Sequence, residues 1–284
     1  MQKLGVEDTI FRRKTSISVR GKLLDLQIPK VMGILNVTPD SFYTGSTVSS
    51  DEDLLSRVNE MLLSGADILD IGGSSSRPGA DDVSLQEEMD RVCPAIARII
   101  QEHPDALISI DTYRSEVADA ALRVGAGIVN DISGFEHDHN LPQIAAKHNA
   151  PYILMHMRGT PKTMQTLTDY TNIFTEIATY FSAKQQLLHE AGVTDVILDP
   201  GFGFAKTLED NHRLLRHLDY FQLLASPLLV GISRKSMIYK KLGASPEEAL
   251  NGTTVLNTVG LMKGASILRV HDVKAAKEVL ELLH

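Results

Sequence analysis

From Lys30 to the C-terminus, short apolar runs alternate with longer stretches in which apolar residues recur at helical spacing. Runs bounded by Gly, Asn or Asp are typical of buried strands, and the longer stretches are typical of amphipathic helices. The pattern predicts eight strands, at 31–36, 68–72, 107–111, 128–130, 152–156, 196–199, 228–232 and 266–269. It predicts eight helices, at 51–64, 84–102, 115–124, 141–148, 173–191, 207–217, 246–263 and 273–283.

The ends of several predicted helices carry their own signals. Ser84 with Glu87 and Thr207 with Asp210 have the spacing of a capping box, in which side chains bond the free N–H groups of a first turn. Three glycines stand where helices must stop in the left-handed conformation: Gly65, Gly125 and Gly192.

The N-terminal segment has a different pattern. Ile17 and Val19 alternate with polar residues, Arg20-Gly21 forms a turn signal, and Leu24 and Leu26 follow with the same alternation. We therefore expect residues 14–28 to form a β-hairpin, lying as a lid on one end of the main body.

Alternating strands and helices predict a parallel sheet, and eight such units favour a closed (β/α)8 TIM barrel of the α/β class. An open, doubly wound sheet would normally carry a glycine-rich dinucleotide turn after its first strand, but residues 36–40 read NVTPD. We expect one domain over 1–284, because barrels of this kind often span 200–250 residues or so.

Composition narrows the classes of function. Of 284 residues, 43% are hydrophobic and 23% charged, as in ordinary globular proteins. The net charge of −8 argues against general nucleic-acid binding, and no apolar stretch approaches the length of a membrane span. The single cysteine, Cys93, excludes an internal disulfide, and the N-terminus lacks the apolar core of a secretory signal. We expect a cytoplasmic protein that acts on small molecules.

Every predicted strand ends in polar residues, and in a barrel the chemistry belongs at the carboxyl ends of the strands. An unpaired polar group there would cost several kcal/mol if it were buried, so these side chains must pair with one another or contact a ligand. The residues at these ends are Asn36, Ser74 to Arg77, Asp111, Asn130, His156, Asp199, Lys235, Arg269 and His271.

One group of strand-end residues suits a flat, nitrogen-rich heterocycle. A carboxylate accepts two neighbouring N–H groups side by side, and an amide offers one donor and one acceptor to the opposite edge. Asp111, Asn130 and Asp199, with Lys235 nearby in strand order, have this chemistry.

A second group is cationic and suits a phosphate or diphosphate. Arg269 ends the last predicted strand and His271 follows it, where barrels of this kind often bind phosphate, and Arg77 adds a third cation. Asn36 becomes their neighbour when the barrel closes, and its amide oxygen suits a Mg²⁺ ion that also binds phosphate.

The strand-end segments resemble those of the dihydropteroate synthase family, in that family's order and over the whole chain from Val31 onward. The segments are GILNVTPDSF (33–42), DIGGSSSRPGA (70–80), ISIDTYR (108–114), IVNDISG (128–134), LMHMRGTPKTMQ (154–165), LDPGFGFAK (198–206), VGISRKS (230–236) and ILRVHDV (267–273). The resemblance implies a TIM barrel that joins 6-hydroxymethyl-7,8-dihydropterin diphosphate to p-aminobenzoate in folate biosynthesis, releasing diphosphate.

The resemblance also implies roles for individual residues. The matching positions for the pterin are Asp111, Asn130, Met155, Asp199 and Lys235; those for the anion are Arg269 and His271; Asn36 matches the Mg²⁺ ligand. Ser76 and Arg77 match a mobile loop, and Phe204 and Ser236 match residues near the p-aminobenzoate pocket. We expect Asp111, Lys235, Arg269 and His271 to act in catalysis, and the resemblance further implies a homodimer.

The sequence departs from the family pattern in two loops. Ser74 stands where the family usually has a glutamate, and Ser76 where it has a threonine. In the first loop, Thr44 replaces an acidic residue. These changes concern loop closure over the amine and leave the pterin and anion positions intact.

Two other functions fit parts of the pattern. Methyltetrahydrofolate:corrinoid methyltransferases hold a pterin with a similar Asp-Asn-Asp set, but methyl transfer needs no anion site such as Arg269 and His271. The loop departures at Ser74 and Thr44 would also fit a binding paralogue with little activity. We expect the synthase reaction, by a dissociative substitution in which diphosphate leaves before the amine attacks.

Overall fold

The computed structural model describes residues 14–37, 48–74, 83–160 and 162–283, with the backbone alone at 48–50. Its strands are β1 (Ser16–Val19), β2 (Lys22–Asp25), β3 (Lys30–Asn36), β4 (Ile68–Gly72), β5 (Ile108–Asp111), β6 (Ile128–Asp131), β7 (Tyr152–Met155), β8 (Val196–Asp199), β9 (Leu229–Val230) and β10 (Ile267–Val270). Its α-helices are α1 (Val48–Leu63), α2 (Leu85–Glu102), α3 (Ser115–Val124), α4 (Leu141–Lys147), α5 (Ile173–Glu190), α6 (Leu208–Arg216), α7 (Ser236–Leu242), α8 (Leu250–Met262) and α9 (Val273–Leu283).

Strands β3 to β10 form one parallel sheet in the order β8-β7-β6-β5-β4-β3-β10-β9. The first and last strands of this order meet at a bridge between Leu198 and Leu228, where the Leu198 N–H donates to the Pro227 carbonyl at 2.9 Å. The predicted (β/α)8 barrel is therefore confirmed. Fewer residues pair at the closing junction than between the other neighbouring strands.

Alternation along the strands divides the core into two parts. One set of positions, among them Leu35, Leu69 and Leu198, packs against the helices in the main hydrophobic cluster. The alternate set packs in the barrel lumen, where a second apolar cluster fills the amino-terminal end. Because side chains alternate along a strand, the lumen-facing positions include the polar residues at the carboxyl ends of the strands.

The N-terminal hairpin packs under the barrel. β1 and β2 pair antiparallel, from Ser16 with Asp25 to Val19 with Lys22. Ile17 and Val19 are buried in the same cluster as the lumen residues at the amino-terminal strand ends. The hairpin thus covers the end of the barrel opposite the candidate site. Its apolar side chains shield this end from water, as the helices shield the outer face of the sheet.

The predicted helix ends agree with the structure in most details. Thr207 and Asp210 form a complete capping box, whereas Ser84 accepts from the Glu87 N–H without the reciprocal bond. The predicted glycines have left-handed φ angles, of 95° at Gly65, 125° at Gly125 and 98° at Gly192.

Three elements differ most from the sequence pattern. α8 begins at Leu250, after a 3₁₀ turn at Glu247–Ala249, whereas the predicted helix begins at residue 246. α7 was not predicted, because Lys235 at its start has no capping side chain. β9 is shorter than predicted, because the backbone leaves the sheet after Val230 and turns into α7. Within the described part of the chain, no helix combines the length and apolar character that crossing a membrane requires.

The packing of the hairpin yields a test of stability. Ile17 is 1% exposed beneath the barrel, whereas Leu23 on the same hairpin is 79% exposed. We expect Ile17→Ala to lower the free energy of unfolding by about 3 kcal/mol, because it leaves a cavity in a closed cluster. Urea denaturation measures this change, and Leu23→Ala as the matched control should shift it by less than ~0.5 kcal/mol. Equal effects of the two substitutions would contradict this packing.

Candidate active site

The carboxyl ends of the barrel strands bring polar side chains from distant parts of the chain together. A Cβ placed on Gly72 would lie 3.5 Å from Asp111 Cβ and 3.7 Å from Asn36 Oδ1. A Cβ placed on Gly231 would lie 3.8 Å from Arg269 Cβ and 3.9 Å from Asp199 Oδ2. The two glycines therefore leave space at the rim that side chains from neighbouring strands enter.

Arg269 on β10 is the cation that links these groups. Its Nε lies 2.6 Å from Asp70 Oδ2, and its Nη2 lies 2.6 Å from Asp111 Oδ2. Burial alone would lower the pKa of Arg269, but the carboxylates of Asp70 and Asp111 outweigh burial and raise it. The guanidinium is thus a fixed positive charge at the centre of the barrel mouth.

Two of the predicted carboxylates are desolvated. Burial raises the pKa of Asp111 to about 7, against the opposing effect of Arg269, and nearby Asp70 raises it further. Burial also raises the pKa of Asp199, against the opposing effect of Lys235. A carboxylate in such surroundings gains strongly from any N–H donor that a ligand brings to it.

Lys235 lies at the start of α7 and faces the loop after β8. Its Nζ donates to the Phe202 carbonyl at 2.7 Å and lies 4.7 Å from the centre of the Phe204 ring. Burial lowers the pKa of Lys235 to about 8, although the Asp199 carboxylate opposes the shift. Ser236, the next residue, begins the helix.

An apolar wall borders the polar groups. Met155 at the end of β7 and Phe204 in the loop after β8 belong to one small buried cluster with Ile132, Met157 and Met164. Two predicted ligand-contacting residues, Met155 and Phe204, therefore lie on a surface that suits the faces of flat rings.

Asn36 ends β3, and His271 directly follows β10, the strand adjacent to β3 in the barrel. The backbone N–H of His271 donates to Ser233 Oγ at 3.1 Å, and its Nδ1 lies 3.2 Å from the same oxygen. No hydrogen bond to another described residue occupies the Asn36 amide. Ser76, Arg77 and Thr44, also named by the sequence pattern, lie outside the described residues.

Two further residues belong to the site, although the sequence pattern gave them no role. Asp70 is buried in the middle of β4, and Lys206 is buried at the end of the loop after β8. Asp70 lies on the same face of β4 as Gly72 and is a charged residue in an otherwise apolar strand. This interruption of the apolar pattern indicates a functional residue. Lys206 had no such signal, because its burial depends on how the loop folds.

Lys206 organises the loop after β8. Its Nζ donates to the carbonyls of Gly201 and Phe204, both at 2.9 Å, and lies 3.1 Å from His156 Nδ1. Gly201 has a φ of 70°, and a Cβ there would lie 2.1 Å from the His156 carbonyl oxygen. His156 and Lys206 therefore support the loop that carries Phe202 and Phe204. This contact gives His156 a structural role, consistent with its exclusion from the predicted site.

Arg234, next to Lys235, has a structural role as well. Its guanidinium forms a two-pronged ion pair with Asp272, Nε to Oδ2 at 2.8 Å and Nη2 to Oδ1 at 2.9 Å. The pair joins the loop after β9 to the segment that follows β10 and keeps Arg234 away from the candidate site.

The titration of Lys206 yields a prediction. Burial lowers its pKa to about 7, far below 10.5, so between these values the unfolded chain binds a proton that the folded chain lacks. The wild type should therefore gain stability as pH rises from 7 to 9, relative to Lys206→Met, by up to about 1.4 kcal/mol per pH unit. Urea denaturation at pH 7, 8 and 9 measures the difference. The exposed Lys22→Met controls for net charge, and a pH-independent difference for Lys206→Met would contradict the shift.

Comparisons with known proteins agree with this geometry. Residues 32–271 match the family described as pterin binding enzyme. The chain is 49% identical over 255 residues to a dihydropteroate synthase of Synechocystis, covering 89% of this chain and 88% of the relative. It is 44% identical over 266 residues to the Escherichia coli K12 dihydropteroate synthase, covering 93% and 94%.

Solved structures show the same likeness. A Yersinia pestis dihydropteroate synthase with a sulfonamide drug complex has a TM-score of 0.88 at 41% identity, covering 94% of this chain and 98% of that one. A Xanthomonas albilineans dihydropteroate synthase with 4-aminobenzoic acid has a TM-score of 0.86 at 36% identity, covering 95% and 97%. The chain therefore belongs to the pterin-binding enzyme family and, within it, to the dihydropteroate synthases.

Proposed function

We propose that this protein joins 6-hydroxymethyl-7,8-dihydropterin diphosphate to p-aminobenzoate, forming 7,8-dihydropteroate and releasing diphosphate. The observation that carries the proposal is the meeting of desolvated carboxylates and half-buried cations at one barrel mouth: Asp111 and Asp199 with Lys235 and Arg269. The carboxylates suit a heterocycle rich in N–H groups, and the cations suit an anionic leaving group. The relatives named dihydropteroate synthase support the same reaction.

The pterin ring binds between Asp111, Asn130 and Asp199. Asp111 and Asp199 accept its N–H groups, Asn130 and Lys235 contact its remaining polar atoms, and Met155 packs against its face. This assignment is supported by the burial of both carboxylates, which makes their hydrogen bonds to a ligand stronger than they would be in water.

The diphosphate binds to Arg269 and His271, with Arg77 from the loop after β4. Arg269 is the best supported of these, because its pKa is raised and it keeps its charge in the buried site. A preorganised cation at a departing anion lowers the barrier to bond cleavage, since charge develops there in the transition state.

The residues around Asn36 fit a Mg²⁺ ion bound jointly with the diphosphate. Within the described ranges, no three His, Cys, Asp or Glu side chains are grouped as a metal site. The Asn36 amide oxygen lies at the rim beside Gly72 and Asp111, where one protein ligand and substrate phosphates would suit Mg²⁺. When bound, the ion supplies further positive charge to the leaving diphosphate.

The amine substrate binds near Phe204 and Ser236, with Ser76 from the loop after β4. Phe204 lies in the apolar wall and under the Lys235 ammonium, which suits an aromatic ring bearing a carboxylate. The relatives seen with 4-aminobenzoic acid and with 4-aminobenzoate support this substrate.

The reaction is a dissociative substitution. An aromatic amine is neutral near pH 7, so its lone pair needs no strong base, and the difficult step is separation of diphosphate from the methylene carbon. Arg269 and His271 stabilise the departing anion, while the electron-rich ring delocalises the positive charge beside the Asp111 carboxylate. The amine lone pair then forms the C–N bond, and the protonated nitrogen releases a proton to solvent. Asp199 and Lys235 hold the ring and do not transfer protons.

We further infer that the protein is a cytoplasmic homodimer. α8 contains no charged residue, and it exposes Val255 and Met262, at 53% and 73%. Such a face is typical of helices that pack against a partner. A second copy of the chain is the partner that this composition favours. The location in the cytoplasm rests on the single cysteine, which forms no internal disulfide.

Release of diphosphate in the presence of both substrates tests the function. We expect Asp199→Ala and Lys235→Ala to reduce kcat/KM by at least about 100-fold, because each leaves a buried charge without its partner and removes a ring contact. Arg234→Lys, which alters the structural contacts of Arg234 with Asp272 and with the Pro246 and Glu247 carbonyls, is the control and should retain activity. Release no faster than background in the wild type would support the alternative of a binding paralogue.

Positional isotope exchange tests the dissociative order of events. We expect a bridging ¹⁸O label between the methylene carbon and the diphosphate to move to non-bridging positions on the enzyme without p-aminobenzoate, because the bond breaks and re-forms. The exchange leaves the molecular mass unchanged, and the ¹⁸O-induced shift in the ³¹P NMR spectrum of the recovered substrate measures it. An absence of exchange without the amine, together with cleavage that depends on amine concentration, would contradict a dissociative step.

A further inference from the structure

Asp70 is a buried acid in the lumen beneath the candidate site. It lies in the middle of β4, is 1% exposed, and pairs in register with Ile34 on β3 and Ser109 on β5. The function proposed above gives it no role. A buried carboxylate in an apolar strand costs stability unless it is paired, so its partners are informative.

One oxygen of Asp70 accepts from two predicted ligand-binding residues. Oδ2 lies 2.6 Å from Arg269 Nε and 3.0 Å from Asn130 Nδ2. β10 and β6, which carry these residues, are each two strands from β4, on opposite sides of it. Asp70 therefore links the side chain assigned to the diphosphate with a side chain assigned to the ring.

The contact with Asn130 sets the orientation of its amide. Because Nδ2 donates to Asp70, the amide cannot rotate by a half-turn without facing the carboxylate with its own oxygen. Its Oδ1 is consequently fixed as an acceptor in another direction. A ring N–H is the complementary group, so this orientation discriminates between the donor and acceptor edges of a heterocycle.

The contact with Arg269 matters when a ligand binds. Arg269 is shared between Asp70 and Asp111, and Asp111 is the carboxylate assigned to the ring. Ring N–H groups that bind Asp111 compete with Nη2 of Arg269 for its oxygens. The Asp70 contact does not face this competition, so it holds the guanidinium in the barrel mouth throughout.

We propose that Asp70 is a positioning residue for substrate recognition, which orients the Asn130 amide toward the ring and holds Arg269 for the diphosphate while Asp111 is occupied. The proposal rests on the pterin-binding function inferred above. It extends that function to a residue that need not touch the substrate.

The remaining polar atoms around Asp70 support a functional role over a purely structural one. Asp70 Oδ1 and Ser109 Oγ are buried and have no hydrogen-bond partner among the described residues. A residue retained for stability alone would have both oxygens satisfied, since an unpaired buried oxygen is destabilising.

Asp70 also affects the charge of Asp111. The charged groups that influence Asp111 are Arg269 on β10, Asp70 on β4, Glu88 on α2, Asp131 on β6 and Lys235 before α7. Burial is the largest cause of its raised pKa, and the negative charge of Asp70 adds to it. Removal of that charge should therefore lower the pKa of Asp111, and Arg269, left with Asp111 alone, should lower it further.

Calorimetry with 6-hydroxymethylpterin, which lacks the diphosphate, tests the proposal without turnover. In the wild type, affinity should fall as pH drops below about 7, because the ring needs an ionised Asp111. For Asp70→Asn we expect affinity at pH 8 to be about tenfold weaker, the loss of roughly one oriented hydrogen bond. We also expect the fall in affinity at acid pH, the acidic limb of the pH profile, to occur at least about half a pH unit lower in Asp70→Asn than in the wild type.

Asp195→Asn is the matched control. Asp195 is also buried; it is ion-paired with Lys14 and accepts a hydrogen bond from the Ser18 N–H, but it lies at the opposite end of the barrel. It should lower stability without moving the acidic limb. If Asp70→Asn does not fold, Asp70→Ser removes the same charge and is measured in the same way.

The outcomes separate the two levels of inference. Wild-type affinity and an unmoved limb in Asp70→Asn would overturn the positioning role. So would weaker binding with an unmoved limb, because that is what a structural defect alone produces. Failure of the wild type to bind the pterin would instead overturn the proposed function, and the positioning role with it.

Discussion

The ion pairs of Arg269 with Asp70 and Asp111 are the interaction on which the site depends. The lumen positions of a barrel are closed to water from below, here by the hairpin and an apolar cluster. Carboxylates in such a place require a cation, since an isolated buried charge is far too costly. Arg269 supplies that charge from β10, and Asn130 supplies a neutral donor from β6.

The surrounding elements hold this arrangement in place. Lys206 fixes the loop after β8, whose Phe202 carbonyl in turn binds Lys235. On the other side, Glu88 of α2 accepts from Thr112, the residue after Asp111, at 2.8 Å and so fixes the end of β5. These contacts join helices and loops to the strand ends. The chemistry is thereby carried by rigid strands, while the loops supply shape and the supporting hydrogen bonds.

Much of the fold and part of the site could be predicted from the sequence. Strands such as β4 and β8 have the predicted bounds because strong apolar runs end at Gly or Asp, and the alternation of βα units leaves few topologies. Asp111 and Asp199 stand out as acids at the ends of apolar strands. Asp70 also stands out as an acid within an apolar strand, but its role arises from contacts across the barrel, and the burial of Lys206 depends on how a loop folds. The short helix α7 was missed since Lys235, which precedes it, gives no capping signal.

The central claim is that one barrel mouth binds both parts of a pterin diphosphate. A crystal structure of the protein with 6-hydroxymethylpterin diphosphate tests it most directly. The account predicts the fused ring between Asp111, Asn130 and Asp199, and the diphosphate against Arg269 and His271. A ring bound elsewhere on the barrel, or a diphosphate directed away from Arg269, would contradict it.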